Sequence, residues 1–594
     1  MRAMKALLTI LLCATPVRVV IAQAGAKEYA EAASQSRSDG VITGRVVNDA
    51  GRPVAGAPIF VIKAGVKIAS GLQMATADGE GNFNATGLGP GSYMITTNVS
   101  GYVIAITDSD RDYHRPGENV TINLVKGGVI TGRVTDAYGE PMVGVRTQAV
   151  KVRDLEGGQK YFSGLREPNG KLTDDRGVYR LYGLEPGIYV VGASSDSQGL
   201  YGGFYAGREA VTWHPSSPRA TATEITVRNG EEVTGADIRQ REERGRTISG
   251  TVAGAVASGS MDEIIDIMLT SGADRQLVGM TRAYRTKNFA MFGVPDGEYE
   301  MAAFRANPRE TDFASSTPRR VVVKGADVSG IELRITPPAS ISGRVRVESS
   351  TMGGARKSPC EDGAQAKERA SVEDVLLSAA PEDESRPSLQ SIAPYFRYIS
   401  GAMGGAPGEK GEFALSGLAA GRFWIKADLP DDAWYISAVT QPASGAAKKP
   451  ADASRNGIAV KTGERLSGVE VIIAEGAASL SGRVVPANEG SKLPSRLRVH
   501  LIPAEVTAAD DALRYAERMV RADGSFEFKH VAPGKYLLHT RQATEKEAND
   551  DQARPLAWDA VERAKLHREA AAAKNEIELK VCDRVKEHVL RLQP

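Results

Sequence analysis

The chain has 594 residues, which is too long for one hydrophobic core, so several domains are expected. Its 63 glycines and 29 prolines, with only 6% aromatic residues, favour short strands and turns over long helices. The 74 basic and 73 acidic residues give a formal net charge of +1. This balance excludes the strong basic field of a nucleic-acid-binding protein.

The N-terminus has the pattern of an export signal. Positive residues come first, a short apolar run follows at 6–14, and an Ala-x-Ala site would leave Gly25 as the first mature residue. The run is too short for a permanent membrane helix, and no membrane span is predicted elsewhere. We therefore expect a signal peptide at 1–24, a linker at 25–40, and a mature protein in a periplasm or outside the cell.

Two sequence motifs each recur five times along the chain. The first, "ITGRV" and its variants, alternates apolar and polar residues as a half-buried strand does. It starts at Ile42, Ile130, Ile248, Ile341 and Leu480. The second, "GLGPGSYMITT" and its variants, is a glycine turn before a strand. Its aromatic residue is Tyr93, Tyr189, Tyr299, Phe423 or Tyr536. Because these aromatic residues recur at one place, we predict that they belong to the core or to a corner of the fold.

Each pair of motifs defines one module of about seven short strands. This number of short strands with turns between them is typical of an antiparallel β-sandwich. The fold class is therefore all-β, with tandem immunoglobulin-like or transthyretin-like sandwiches. The predicted modules one to five are 41–126, 127–243, 244–337, 338–476 and 477–594. Within module four, 352–407 is rich in Gly, Ala, Ser and charge, and we interpret it as a long surface insertion.

The end of module five predicts the one helix of the chain, before a final strand. In "PLAWDAVERAKLHREAAAA", the residues at helical spacing are Trp558, Val561, Ala564 and Leu566. Asp559 favours the start of a helix. We expect this helix to pack on module five, with Trp558 as its anchor.

The first two modules resemble a known domain family. The run from "ITGRVVNDAGRPVAGAPIFV" to "TADGEGNFNATGLGPGSY" is similar to the carboxypeptidase regulatory-like domain, a transthyretin-like sandwich. That domain is grouped with carbohydrate-binding-like and collagen-adhesin B-type folds. The resemblance implies a fold and a secreted bacterial repeat protein. It implies no particular activity, because one scaffold hosts many functions.

The sequence contains no recognisable catalytic motif. A metallocarboxypeptidase needs His-x-x-Glu, and none of the seven histidines has Glu at the third following position. No Gly-x-Ser-x-Gly elbow lies between a predicted strand and a predicted helix. We therefore predict that the protein is not an enzyme. We expect no cofactor, and the one candidate for a bound metal ion is calcium.

Two kinds of binding residue are candidates. Exposed aromatic rings stack on sugar faces, and the candidates are Tyr201, Phe204, Tyr205, Trp213, Trp434 and Tyr435. For the module-two members, loop packing is the alternative interpretation. Alternating carboxylates bind calcium, and the candidates are Asp108, Asp110 and Asp112. A solvated acidic loop is the alternative there.

Two cysteines remain after removal of the signal. In an oxidising compartment Cys360 and Cys582 either pair or stay as two unrelated buried thiols. A disulfide would tie the irregular part of module four to the C-terminal strand.

These features predict a non-catalytic, exported, multi-module binding protein that presents its loops to carbohydrate or to an envelope protein. The alternative is a structural spacer or envelope assembly component, which would be an extended rod. The sequence does not predict the oligomeric state.

Overall fold

The protein is a series of β-sandwiches and one α-helix in the part of the chain that the computed structural model describes. The described residues are 40–65, 72–105, 113–155, 171–194, 209–241, 243–254, 265–272, 277–283, 287–306, 313–348, 360, 370–382, 405–443, 450–488, 491–494, 496–521, 523–544 and 555–592. The predicted signal peptide lies outside them, as does the linker up to 39. No helix in these ranges is long and apolar enough to cross a membrane.

Modules one and two hold the first sixteen strands. Module one contains β1 (Gly40–Asn48), β2 (Pro58–Lys63), β3 (Leu72–Thr76), β4 (Asn82–Leu88), β5 (Tyr93–Thr97), β6 (Tyr102–Ile104) and β7 (Asn119–Lys126). Module two contains β8 (Gly128–Thr135), β9 (Arg146–Arg153), β10 (Lys171–Leu172), β11 (Val178–Leu184), β12 (Gly187–Ser194), β13 (Thr212–Trp213), β14 (Ile225–Val227), β15 (Glu232–Val233) and β16 (Ile238–Arg239).

The remaining modules hold the other strands and the helix. Module three contains β17 (Arg246–Gly254), β18 (Ile265–Ser271), β19 (Leu277–Ala283), β20 (Asn288–Val294), β21 (Gly297–Ala306), β22 (Phe313–Ser316), β23 (Arg319–Val323) and β24 (Val328–Thr336). Module four contains β25 (Ala339–Glu348), β26 (Leu376–Pro381), β27 (Glu412–Leu418), β28 (Gly421–Asp428), β29 (Trp434–Gln441), β30 (Ala451–Asp452), β31 (Ile458–Val460) and β32 (Arg465–Glu475). Module five contains β33 (Ala478–Val485), β34 (Leu497–Pro503), β35 (Ala516–Met519), β36 (Ser525–Val531), β37 (Gly534–Gln542), α1 (Ala560–Ala573), β38 (Glu576–Leu579) and β39 (Arg584–Arg591).

Four modules share a plan of two sheets. Module one pairs β4-β1-β7-β6 and β3-β2-β5, module four pairs β27-β25-β32-β29-β30 and β26-β28-β31, and module five pairs β36-β33-β39 and β35-β34-β37-β38. Module two pairs β10-β9-β12-β13, with β14 on β12, and β11-β8-β15, with β16 on β8. In module three one continuous sheet, β19-β18-β21-β22-β24-β17-β20 with β23 on β21, supplies both layers. The pairing is antiparallel except between the first strand and the last strands of each module, which run parallel.

Five separate hydrophobic cores lie in consecutive stretches of the described chain, one in each module. The first residue of the "ITGRV" motif is fully buried in all five cores: Ile42, Ile130, Ile248, Ile341 and Leu480. The alternation at period two therefore places its apolar side chains in the core, as predicted.

The glycine of the "ITGRV" motif is required because the first and last strands of each module pair closely in parallel. A Cβ at that position would approach a backbone carbonyl oxygen of the last strand or, in module two, of the link between β15 and β16. The distances to that oxygen are 2.3 Å at Gly44, 2.3 Å at Gly132, 1.9 Å at Gly250, 1.7 Å at Gly343 and 2.1 Å at Gly482. Only a residue without a Cβ fits such an approach.

The tyrosine of the second motif fixes a corner of the sandwich through its hydroxyl group. Its hydroxyl donates a hydrogen bond to the carbonyl oxygen four residues earlier. The distances are 2.8 Å for Tyr93, 2.7 Å for Tyr189, 3.0 Å for Tyr299 and 2.6 Å for Tyr536. Burial raises the pKa of Tyr93, Tyr299 and Tyr536 to about 12, so these hydroxyls stay protonated donors. In module four Phe423 keeps the buried ring and lacks the hydroxyl.

The segment 352–407 of module four is not a continuous insertion. Strand β26 lies inside that range and pairs with β28, and Leu377 and Ala379 point into the module core. Sequence composition missed this strand because "VLLSAAP" is a short apolar run with small residues, between polar segments.

Helix α1 exists as predicted, and Leu566 is buried, but Val561 and Ala564 of the predicted set are exposed. Asp559 caps it, because its Oδ1 accepts hydrogen bonds from the backbone N–H groups of Val561 and Glu562. Val561 is 74% exposed, and the buried residues are Arg563, Leu566 and Ala570. The helix packs on the outer face of the β34–β37 pair.

Candidate functional site: a cavity between modules one, four and five

The first module contacts the fourth directly, through the glycine turn that precedes β5. The Gly91 N–H donates to Asp374 Oδ1 at 3.0 Å, and Ser92 Oγ donates to the Asp374 carbonyl oxygen at 2.6 Å. Gly91 has φ +127°, a conformation that L side chains rarely adopt, so glycine lets the turn present its N–H to module four.

Asp374 is fixed from its own side by a local capping box. Its Oδ2 accepts from the Ser371 N–H at 2.8 Å, while Ser371 Oγ accepts from the Glu373 N–H at 3.2 Å. Asp374 is 7% exposed, and Arg115 of module one places a guanidinium nitrogen 3.9 Å from Oδ2. The carboxylate therefore holds a charged, hydrogen-bonded joint between two modules that are distant in sequence.

A second polar group lies beside this joint in module one. Two backbone hydrogen bonds of 2.7 Å pair His114 with Tyr93. Glu118 Oε2 lies 3.2 Å from His114 Nδ1, and its Oε1 lies 3.5 Å from Arg115 Nε. Burial alone would raise the pKa of Glu118, but the hydrogen bond with His114 and the charges of Arg115 and His114 lower it overall. Glu118 is therefore a carboxylate at neutral pH.

Module five supplies the third wall. His530 has φ +56°, and its Nδ1 lies 2.9 Å from the Trp434 carbonyl oxygen of module four. Because a carbonyl oxygen only accepts, Nδ1 is the donor of this bond. The neighbouring Lys529 has its Nζ 3.7 Å from Glu527 Oε1.

A partly open cavity of about 160 Å³ lies where these three modules meet. Its lining comes from three modules: Ser92, Tyr113, Arg115, Glu118, Asp374, Asp428, Leu429, Pro430, Asp432, Lys529 and His530. Most of these side chains carry a charge or a hydrogen-bonding group, and Leu429 and Pro430 add an apolar segment. The cavity can therefore hold a small polar molecule by hydrogen bonds from several directions.

Modules four and five also contact each other directly. Trp558, just before α1, stacks on Trp424 of module four with centroids 5.4 Å apart and Lys426 over its ring. Trp558 therefore links the helix, which lies on module five, to module four. Arg563 of the helix adds a second link, because it donates to the Arg455 carbonyl oxygen at 2.9 Å.

Two further links reinforce the same contact. A disulfide joins Cys360 to Cys582, in the turn before β39, with Cα atoms 5.3 Å apart. Arg584 donates to the carbonyl oxygens of Ala477 at 3.0 Å and Asp432 at 3.3 Å. Asp432 lines the cavity, so its hydrogen bond with Arg584 ties module five to one side of the cavity.

The aromatic candidates from the sequence do not form an open face where they are described. Trp213 is 4% exposed, packs with Val190 and Val211, and has the Arg219 guanidinium 5.3 Å from its ring centroid. Trp434 is 5% exposed and belongs to the core of module four. The structure gives both rings a packing role, because neither has a free face for a sugar.

Of the other candidate binding residues, the structure describes only Tyr435. Tyr435 is half-buried, and burial raises its pKa. The remaining aromatic candidates, Tyr201, Phe204 and Tyr205, lie outside the described residues, as do the calcium candidates Asp108, Asp110 and Asp112. Among the residues that are described, no group of three or more His, Cys, Asp or Glu side chains is placed to hold a metal ion.

Comparison with known proteins finds a family match for the first module. Residues 41–124 match the family model of the carboxypeptidase regulatory-like domain. This match confirms the resemblance for module one. No curated protein matches the chain.

Several solved structures are similar to parts of the chain. A minor pilin of Streptococcus agalactiae is 15% identical over 34% of this chain and 96% of its own, with a TM-score of 0.18. A putative carbohydrate binding protein of Pseudomonas aeruginosa is 16% identical over 16% of this chain and 95% of its own, with a TM-score of 0.11. The TIE protein of Bacillus anthracis is 14% identical over 50% of each chain, with a TM-score of 0.13. With scores this low, these likenesses carry no weight for the function.

Proposed function

We propose that this chain is an exported, non-catalytic binding protein that holds a carbohydrate in the cavity between modules one, four and five. The observation that carries the proposal is the lining of that cavity, to which three modules contribute polar side chains. Small-ligand sites are concave, and a few convergent polar groups fix the orientation of the ligand in them.

The chemistry of the lining suits a sugar. Carboxylates such as Asp428 accept hydrogen bonds from hydroxyl groups, while Lys529 donates them. Leu429 and Pro430 supply an apolar surface of the kind against which the C–H face of a sugar ring packs. Tyr113 adds an aromatic side chain with a polar tip to the same lining.

Two features support an exported location, in a periplasm or outside the cell. The first residues have the charge and apolar pattern of a signal peptide. The disulfide between Cys360 and Cys582 is of the kind that persists in oxidising compartments.

The spacer alternative is not favoured by the contacts between modules. An extended rod would keep module one away from module four. Instead, Gly91 and Ser92 of module one hydrogen-bond to Asp374 of module four. A chain that folds back on itself in this way is poorly suited to provide length.

Binding of the mature protein, from Gly25 onward, to a glycan array tests the proposal. We expect binding that is lost in Lys529→Ala, which removes a donor from the cavity, and kept in the control Lys324→Ala, an exposed lysine of module three. A third variant, Tyr205→Ala, tests the module-two loop. Loss of binding in Tyr205→Ala alone would move the site to that loop, and an array without any bound glycan would contradict the proposal.

A further inference from the structure

In modules one to four the last strand has a partner on each of its two sides. On one side it pairs in parallel with the first strand of its module. On the other side lies a second segment of the same module, which we call the cover segment. The cover segments are β6 in module one, residues 215–216 in module two, β22 in module three and β29 in module four. Those of modules one, three and four are strands that pair antiparallel with the last strand.

The cover segment contacts a backbone position that recurs in the modules. This position lies in the last strand, opposite the residue that directly follows the "ITGRV" motif. In module one it is Asn123, whose carbonyl oxygen accepts a hydrogen bond of 2.8 Å from the N–H just after β6. In module two it is Arg239, whose N–H donates to the Pro215 carbonyl oxygen at 2.9 Å. In module four it is Ile472, which pairs with β29. The same position in module five is Arg591 of β39.

Strand β39 has one side without a partner in the described part of the chain. Among the described strands it pairs only with β33. The Leu592 N–H donates to the Val485 carbonyl oxygen at 2.9 Å, so the backbone groups of Leu592 and Leu590 face β33. Successive residues of a strand point their backbone groups to opposite sides, so those of Val589 and Arg591 point away from β33. We call these two residues the open edge.

Helix α1 explains why module five has an open edge. In the other modules the cover segment lies in the chain between the strand after the corner and the last strand. In module five this part of the chain contains α1, which packs on the outer face of the β34–β37 pair through Leu566 and Ala570. That pair belongs to the other sheet of the module. The helix therefore replaces a cover segment in the sequence and not in space.

A bulge precedes the open edge and leaves it accessible. Glu587 has φ +57° and lies where the register of β33 and β39 shifts. Bulges often protect an edge strand from pairing. The last strands of modules three and four have the same shift, with Gly330 and Gly468 at positive φ. Their cover segments β22 and β29 nevertheless pair with them beyond the bulge. The corresponding stretch of β39 is the open edge.

The side chains of β39 indicate the charge of a partner. The strand has three basic residues and one acidic residue, which give it a net charge of +2: Arg584, Lys586, Arg591 and Glu587. Burial lowers the pKa of His588, so this side chain adds no charge at pH 7. Lys586 and Arg591 are exposed and form no ion pair within the described residues. Val589, which lies between them, is 62% exposed.

We infer that the open edge of β39 binds an extended, acidic segment of a partner protein. The segment pairs with Val589 and Arg591 as an antiparallel strand, in the way that β29 pairs with β32 in module four. A polypeptide fits this edge because its backbone offers N–H and C=O groups at the spacing of a strand. Acidic side chains would lie near Lys586 and Arg591. A second copy of β39 fits less well, because two strands of the same charge repel each other. The inference is independent of the carbohydrate proposed for the cavity.

Binding of short labelled peptides to the mature protein, from Gly25 onward, tests the inference. The probe is a peptide of alternating glutamate and valine, and the matched probe has lysine in place of glutamate. By fluorescence anisotropy at low salt, we expect the acidic peptide to bind about tenfold more tightly than the basic one. Added salt should reduce this preference. The acidic peptide should also slow hydrogen exchange in 586–592, because it supplies partners for the backbone of the open edge.

Two variants show whether the peptide binds at the open edge. Val589→Pro removes an N–H that points away from β33, and proline is tolerated on an edge strand at such a position. It should weaken binding of the acidic peptide about three- to tenfold. Arg591→Glu should weaken it about tenfold, through the loss of an attractive charge and the gain of a repulsive one. The control Lys324→Glu, at an exposed lysine of module three, should leave binding unchanged.

Three results would overturn the inference. The first is no binding of the acidic peptide, and the second is equal binding by the wild type and both variants. The third is a dimer of the protein that Val589→Pro dissociates, because a second copy would then occupy the open edge. Unfolding temperatures show whether the variants are folded. Arg591→Glu changes only a side chain, so it tests the inference even if Val589→Pro does not fold.

Discussion

Replacing Asp374 by alanine should weaken the contact between module one and module four. The change removes the acceptor of the Gly91 N–H and the carboxylate near Arg115, and it also leaves the Ser371 N–H without its partner. A hydrogen bond to a charged group contributes about 1.5–3 kcal/mol, and a buried donor left without an acceptor costs a similar amount.

The part of this loss that acts between the modules is the contact with Gly91 and the weaker one with Arg115. We expect the docked state to lose about 2–3 kcal/mol, a change of about 30- to 150-fold in the docking equilibrium. The Ser92 hydroxyl bonds to the backbone carbonyl of Asp374, so that contact remains in the variant.

Hydrogen exchange followed by mass spectrometry measures this opening. Peptides that span 90–94 and 371–376 should exchange faster in Asp374→Ala, whereas peptides from the core of module three should not change. Glu373→Ala is the matched control, because it removes a carboxylate from the same turn and keeps the joint. Equal exchange in the wild type and in both variants would refute the role that we assign to Asp374.

Three further predictions concern the modules themselves. Gly343→Ala should lower the stability of module four by about 1–3 kcal/mol or more, because its Cβ would lie 1.7 Å from a carbonyl oxygen, while Gly79→Ala, in open space, should have little effect in thermal unfolding. Tyr536→Phe should cost about 1–3 kcal/mol in module five, since the hydroxyl bonds to both a carbonyl oxygen and Arg514, and denaturant unfolding measures the loss. Cys582→Ser should lower the unfolding temperature and abolish its dependence on reductant, with a cost of about 2–4 kcal/mol, and a reductant effect that persisted would contradict the disulfide.

The sequence predicted the modules because each of them repeats the same physical requirements. The first strand needs a glycine where a parallel strand approaches, as at Gly44, and the corner needs an aromatic residue, as at Tyr93. Because each module has these local requirements, the same motif occurs five times in the sequence and can be recognised there. The strand β26 was missed because its neighbours in the sheet, and not its own pattern, make it a strand.

The cavity could not be predicted in the same way. Its residues come from three modules, and sequence spacing carries no information about which module surfaces meet. One local signal was present, since Ser371 and Asp374 have the spacing of a capping box, but that signal indicates a turn and not a joint. The aromatic candidates were chosen by residue type, and burial then gave Trp213 and Trp434 a packing role.

The residues that repeat and the residues that join the modules are different sets. Repeated positions such as Gly343 and Tyr536 serve the interior of one module. Asp374, Arg563 and Trp558 have no counterpart at the repeated positions, and each of them makes a contact between modules. In this tandem chain, residues outside the repeated positions therefore make the contacts between modules, and one of them, Asp374, also lines the polar cavity.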